Sequence, residues 1–150
     1  MQNMELDALY AEVILDHNRR PRNWGELPPP ARKVEGFNPL CGDRLTVWFD
    51  LADDIVRDVK FMGEGCAISK ASASMMTQAV KGKTLEQAEE LFGRFHRLVT
   101  GTAAEADPSL GSLRAFAGVA RFPARVKCAS LAWHALHGAL HGEAATTTEE

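Results

Sequence analysis

A chain of 150 residues, 45% hydrophobic and 25% charged, suits one domain with a single core and has the composition of an ordinary soluble globular protein. Its net charge of −3, with no dense Lys/Arg stripe, argues against a nucleic-acid partner. No apolar run approaches the roughly 20 residues that span a bilayer, and Met1 to Asp16 reads as an acidic, amphipathic start instead of a targeting signal, so no membrane partner and a cytoplasmic location are expected.

From Met4 to Arg19, Leu6, Leu9, Tyr10, Val13 and Ile14 recur on one helical face, and Pro21 stops the helix. His17, at the helix end, is expected as a dipole-favoured surface residue, not a ligand. A proline-rich connector runs to Pro30. Ala31 to Phe37 can form a strand. In Arg44 to Leu51, the residues Leu45, Val47, Phe49 and Leu51 alternate with Arg44, Thr46, Trp48 and Asp50 in the pattern of a half-buried strand. Ala52 to Asp54 supply a turn, and Ile55, Arg57, Val59 and Phe61 an antiparallel return.

The second half reads as helical. Two glycines in Gly63-Glu64-Gly65-Cys66 predict a tight turn, with Cys66 at the start of a helix whose face is Ile68, Ala71, Met75, Met76 and Ala79. That helix ends near Gly82, and its methionine pair reads as core filling. Thr84 and Gln87 form a capping box for a helix carrying Leu85, Ala88, Leu91, Phe92 and Phe95. Thr100 to Phe122 reads as a loop-rich insert with a short helix from Pro108 to Ala117. Pro123 opens the last helix, with Cys128 in its early turns and Leu131, Ala132, Ala135, Leu136, Ala139 and Leu140 facing inward. His134, His137 and His141 share another face and read as solvated. The tail, residues 143–150, lacks large apolar anchors and is expected to be disordered.

The expected architecture is α+β: a small antiparallel three-stranded sheet over residues 31–63, packed against an N-terminal helix (1–20) and a helical part (66–142), as a single domain over 1–150. The hairpin brings its ends together, so Cys41 and Cys66 can be neighbours although 24 residues separate them.

Three cysteines cannot all pair within one chain, and a reducing cytosol disfavours disulfides. Buried free cysteines often serve only as small hydrophobes. Here, however, Cys66 sits where helix N–H groups favour a thiolate. Cys41 precedes Asp43 by two residues, with Gly42 allowing both side chains to turn toward one centre. Cys41, Asp43, Cys66 and Cys128 thus make four candidate ligands, a set suited to tetrahedral zinc or to iron–sulfur chemistry. The carboxylate is the poorest soft donor of the four and the one expected to be most easily displaced. Arg44, Arg125 and Lys127 adjoin the ligands in sequence and can offset their negative charge.

Asn-Pro-Leu-Cys-Gly-Asp (38–43), Gly-Glu-Gly-Cys-Ala-Ile-Ser (63–69) and Arg-Val-Lys-Cys-Ala (125–129) resemble the three cysteine motifs of the SufU/IscU/NifU N-terminal family. Ile14-Leu15-Asp16-His17 and Pro21-Arg22-Asn23 are similar too, so the resemblance spans nearly the whole chain. It implies a compact α+β fold and a role in iron–sulfur cluster assembly. Scaffold members of the family carry a His directly before the third cysteine and a Leu-Pro-Pro-Val-Lys segment. This chain has Lys127 before Cys128 and lacks that segment, and it carries the 100–122 insert, both of which resemble the SufU branch. That branch implies zinc held by three Cys and the Asp, and sulfur received from the persulfide of a cysteine desulfurase.

The leading expectation is therefore a zinc-dependent sulfurtransferase. Cys41 accepts sulfur when a partner group takes its place on the metal, with Arg125 and Lys127 assisting, and downstream iron–sulfur assembly proteins receive the product. The alternatives are a scaffold holding a transient [2Fe–2S] cluster on the same side chains and a module in which zinc only stabilises the fold.

Overall fold

The computed structural model describes residues 2–102 and 107–147, with side chains described for 11–102 and 107–146. Helix α1 (Gln2–Arg19) leads into strands β1 (Arg32–Asn38), β2 (Asp43–Ala52) and β3 (Ile55–Glu64). Helices α2 (Ala67–Val80) and α3 (Leu85–Thr100), a 3-10 helix η1 (Pro108–Arg121) and α4 (Pro123–Leu140) follow, and a short strand β4 (Ala145–Thr147) closes the order. The α+β expectation holds, with one strand more than expected.

The β2–β3 hairpin forms where alternation and turn chemistry both point. Asp53 and Asp54 take φ of 56° and 60°, the paired left-handed geometry that matches strand twist. Leu45, Val47 and Phe49 face the core opposite Gly63, Phe61 and Val59. A register shift at Asp50/Leu51 then breaks strict alternation, so Val56 is buried and Ile55 is not. α4 lies across β1 and β2, and Leu131, Ala132, Ala135 and Leu136 are wholly buried. Met75 and Met76 fill the core as expected, and Thr84 and Gln87 form the complete capping box.

Four expectations need correction. The tail does not simply fray: Ala145–Thr147 pairs in parallel with Glu35, Gly36 and Phe37 at the sheet edge, supported by the Glu35 N–H on the Ala144 carbonyl at 3.0 Å. Backbone pairing, which needs no large side chain, supplies the anchor that the tail's composition lacks. Residues 148–150 lie outside the described residues.

The 100–122 segment is mostly η1, capped by Asp107 and buried through Leu110, Leu113 and Phe116, as it packs on α3. Arg94 of α3 secures its start by bonding Asp107 at 2.5 Å. The Gly63–Gly65 stretch is a strand end and not a tight turn. A Cβ at Gly63, whose φ is 157°, would stand 2.2 Å from the Arg44 carbonyl oxygen, so glycine is what lets β3 meet β2 there.

His17, finally, is buried instead of surface-exposed. Its Nδ1 lies 2.7 Å from Ser74 Oγ, while the Arg22 N–H donates to the same oxygen at 2.8 Å, leaving the serine proton for the imidazole. Asp16 accepts from Arg22 at 2.6 Å, and Asn23 donates to Thr77 at 2.9 Å. The Asp16-His17 and Arg22-Asn23 segments thus bind α1 and its connector to α2. Val13 and Ile14 pack against the core, whereas the expected contacts of Leu6, Leu9 and Tyr10 lie outside the described side chains.

Desolvation holds the His17 pKa below its ordinary 6.5, and the positive charge of Arg22 adds to the shift. The neutral ring therefore contributes stability above about pH 6.5, and that contribution is lost as pH falls through the lower folded-state value. His17→Ala should cost about 1–3 kcal/mol at neutral pH, because it leaves buried polar groups unpaired. In urea unfolding compared at about pH 7.5 and about pH 5, the wild type should lose more stability than His17→Gln. Equal losses would show that His17 is not the titrating group.

Candidate metal centre

The centre forms where the ends of β1, β3 and α4 meet. Cys41 lies in the turn between β1 and β2, which the Gly42 N–H closes on the Asn38 carbonyl at 2.8 Å; Gly42 takes the left-handed φ of 76° expected of it. Asp43 opens β2. Cys66 caps α2, its Sγ accepting from the Ser69 N–H at 3.4 Å. Cys128 sits in the second turn of α4. Cys41 and Cys66 are exposed, Cys128 is buried, and Asp43 has no exposure at all.

A buried carboxylate is costly unless its oxygens are paired. Asp43 pairs both: Oδ1 accepts from the Cys66 N–H at 2.9 Å and Oδ2 from Asn38 Nδ2 at 3.0 Å. Gly65 makes the room, since a Cβ there would lie 2.7 Å from Oδ1. Cys128 donates toward Cys41, with the sulfurs 3.4 Å apart, and Asn38 Nδ2 also reaches Cys128 Sγ at 3.5 Å.

Donor atoms of Cys41, Asp43 and Cys128 all lie within 4.8 Å of one another. Cys66 stands at the edge of this group, its thiol interacting with that of Cys128. The expected four residues therefore converge, three tightly and one at the rim. Asn38, at the start of the first cysteine motif, holds two of the four. Its sequence signal is faint: a polar residue at a strand end that otherwise reads as buried.

The thiols differ electrostatically. Donation from the Cys128 thiol is the largest cause lowering the Cys66 pKa, to about 6; burial and the Asp43 charge oppose it, and the Ser69 and Ile68 N–H groups assist. The helix start thus favours a thiolate at Cys66, as its position predicts. Cys128 is pushed up, first by its bond to Cys66 and then by burial and its contacts with Cys41 and Asp43.

The cations expected beside the ligands are engaged elsewhere. Arg44 lies 4.5 Å over the Phe37 ring and Arg125 4.6 Å over Phe122, while Lys127 lines a cleft between α3 and α4 with His96 and His134. Among the described residues, no hydrogen bond or ion pair joins them to the four ligands.

Three soft sulfurs and one oxygen, gathered without a disulfide, fit a thiophilic cation. Zinc thiolates stand about 3.8 Å apart in a tetrahedron with Zn–S bonds of about 2.3 Å, close to the 3.4 Å between Cys41 and Cys128 here. Cys41, Asp43, Cys66 and Cys128 are the residues that would hold it.

A helix-covered antiparallel sheet with such a centre at its edge defines a class of small thiolate metal-site proteins. The NifU-like N terminal domain model matches residues 9–142, and the chain belongs to that family. It is 49% identical over 134 residues to the zinc-dependent sulfurtransferase SufU of Bacillus subtilis (strain 168), covering 89% of this chain and 90% of that one. It is 46% identical over 138 residues to the iron–sulfur cluster assembly scaffold protein IscU of Streptococcus pyogenes serotype M1, covering 91% and 85%. A crystal structure of FiSufU from Fervidobacterium islandicum AW-1, a candidate scaffold for the SUF system, superposes with a TM-score of 0.80 at 37% identity, covering 86% and 94%. Among the described residues, no helix is long and apolar enough to cross a membrane.

Gly65→Ala places a methyl group against Asp43 Oδ1 and should push the carboxylate off its hydrogen bonds. Metal affinity, followed by competition with a chromophoric chelator, should fall about 10–100-fold, the range for disturbed outer-shell groups, with the fold retained. Unchanged affinity would remove Asp43 from the ligand set.

Proposed function

We propose that this protein is a zinc-dependent sulfurtransferase of iron–sulfur cluster assembly that takes sulfur from the persulfide of a cytoplasmic cysteine desulfurase. The observation that carries this reading is the unequal holding of three thiols around one buried carboxylate. Cys128 is 2% exposed; Cys41 and Cys66 are both exposed, but Cys66 is held as the cap of a helix while Cys41 sits on a turn beside Leu40 at 60% exposure. Its turn makes Cys41 the thiol most free to move toward a partner. The similarity to the Bacillus subtilis SufU supports the zinc and the sulfur transfer.

Zinc, when bound, supplies a Lewis acid that keeps thiols deprotonated at neutral pH. The chain's own residues do the rest. Cys41, as thiolate, attacks the terminal sulfur of the partner's persulfide. A new S–S bond forms on Cys41, the partner's S–S bond breaks, and the partner cysteine leaves as a thiolate, with no net oxidation. Arg125 and Lys127, on the first turns of α4, would offset the charge of the two sulfur anions by leaving the Phe122 ring and the α3–α4 cleft. Asp43, held at both oxygens, keeps the turn that presents Cys41. Downstream iron–sulfur assembly proteins would receive the sulfur.

A second reading, a scaffold for a transient [2Fe–2S] cluster, draws on the same donor set and on the similarity to the Streptococcus pyogenes IscU. Lys127 stands where a histidine ligand would extend that set, which favours sulfur transfer. Colour separates the two: zinc protein is colourless, and cluster-bearing protein purified without air is brown.

Incubation with desulfurase and free cysteine should add one sulfur atom, found by mass spectrometry on the peptide containing Cys41. Cys41→Ser should remain folded and lose all stimulation of desulfurase turnover. Cys66→Ser and Cys128→Ser should lose metal and stability together, because metal binding contributes folding free energy. Sulfur on Cys128, with Cys41→Ser still active, would move the acceptor to α4.

A further inference from the structure

Two of the histidines on the solvated face of α4, His137 and His141, meet a carboxylate from another helix. His137 Nδ1 lies 2.8 Å from Glu89 Oε1, and His141 Nε2 lies 3.3 Å from the same oxygen. The two imidazoles stand four residues apart at the end of α4, one turn, with ring centroids 4.3 Å apart. Glu89 projects from the second turn of α3. The three donor atoms fall within 4.8 Å of one another.

We propose that Glu89, His137 and His141 form a second metal site, for a divalent first-row transition ion such as Zn2+. Two imidazole nitrogens and one carboxylate oxygen are a borderline donor set, matched to zinc and its neighbours and poorly suited to Mg2+ or Ca2+, which take oxygen shells. Donor separations near 3 Å are those of ligands that share one such ion, with metal–ligand bonds of about 2.0–2.2 Å. The carboxylate supplies negative charge at the site, so a cation is favoured. On α3, Arg94 is taken up by Glu90 and Asp107.

Geometry is fixed in advance by Phe92, one turn after Glu89. Its ring stacks on His137 at 5.0 Å and 19° and meets His134 edge-on at 5.7 Å. The stack holds the plane of the His137 ring, and the contact with Glu89 selects the orientation that aims Nδ1 at the carboxylate. The side chains of Glu89, His137 and His141 are 38%, 42% and 53% exposed, so an ion can enter from solvent and keep water on its remaining positions. Cys128 lies nine residues before His137 on the same helix, about 13 Å along its axis, so the two centres are distinct. Such an ion would clamp α3 to α4 from outside the core.

Cobalt(II) titration of the full-length chain separates the sites. Cobalt on thiolates gives a sulfur-to-metal charge-transfer band; cobalt on Glu89, His137 and His141 gives no such band but broadens the imidazole proton resonances of both histidines. Wild type should take up two equivalents, and the Glu89→Gln/His141→Asn double variant should take up one with an unchanged charge-transfer band. Each single substitution should weaken the second equivalent by at least about tenfold, the low end of what even outer-shell changes cost.

The proposal is overturned if the second equivalent survives the double variant. It is equally overturned if wild type shows no broadening of His137 and His141, in which case the cluster is only a hydrogen-bonded tie between helices. Failure of the thiolate centre would remove the charge-transfer band and leave the histidine broadening in place, so the two outcomes are distinguishable.

Discussion

Burying the Asp43 carboxylate imposes a condition that three separate stretches of chain must meet at once. Its oxygens need donors, and these come from the Cys66 N–H at the β3–α2 junction and from Asn38 at the end of β1. Hydrogen bonds to a charged group contribute about 1.5–3 kcal/mol each, and an unpaired buried carboxylate would cost more than it returns. Asn38 in turn reaches Cys128, which ties α4 into the same arrangement. The end of β1, the start of α2 and the early turns of α4 are therefore tied to one another through the residues that gather at the centre.

The same coupling explains why three chemically identical thiols are not equivalent. Cys66 accepts from a helix N–H and from the Cys128 thiol, so its anion is favoured. Cys128 spends its proton on its neighbours and sits behind them, so its anion is disfavoured until a cation arrives. Cys41 stands on a turn at the protein surface, beside an exposed leucine. Position in the fold, and not residue type, sets the order of reactivity.

Much of this was legible in the residues because local signals and tertiary packing agreed. The Asp53–Asp54 turn, the alternation of Leu45, Val47 and Phe49, the Thr84–Gln87 box and the glycine after Cys41 each act within a few residues. What escaped depended on distant partners. The burial of His17 follows from Ser74, 57 positions away. Ala145–Thr147 has no apolar signal, because its attachment is backbone pairing to an open sheet edge. The register shift at Asp50/Leu51 exchanges Ile55 for Val56 in the core, and composition favours neither. The face of His137 and His141 is solvent-exposed as it reads, but its contact with Glu89 was not legible because Glu89 belongs to another helix.

The expectation that Asp43 is the most easily displaced ligand leaves out a contribution that the fold supplies. It compared donors by softness, as if each were a free molecule competing for the same ion. In the folded chain Asp43 is the most firmly held of the four, wholly buried and bonded at both oxygens, with Gly65 shaped around it. Turning its side chain away would break both of these bonds at once. Moving Cys41 strands little, because its turn faces solvent and its described hydrogen bond is one thiol contact. Exchange at this centre should therefore follow the cost to the protein of releasing each ligand more than the strength of that ligand's bond to metal. On that scale the proposed exchange of Cys41 needs less of the protein to move than exchange of Asp43 would.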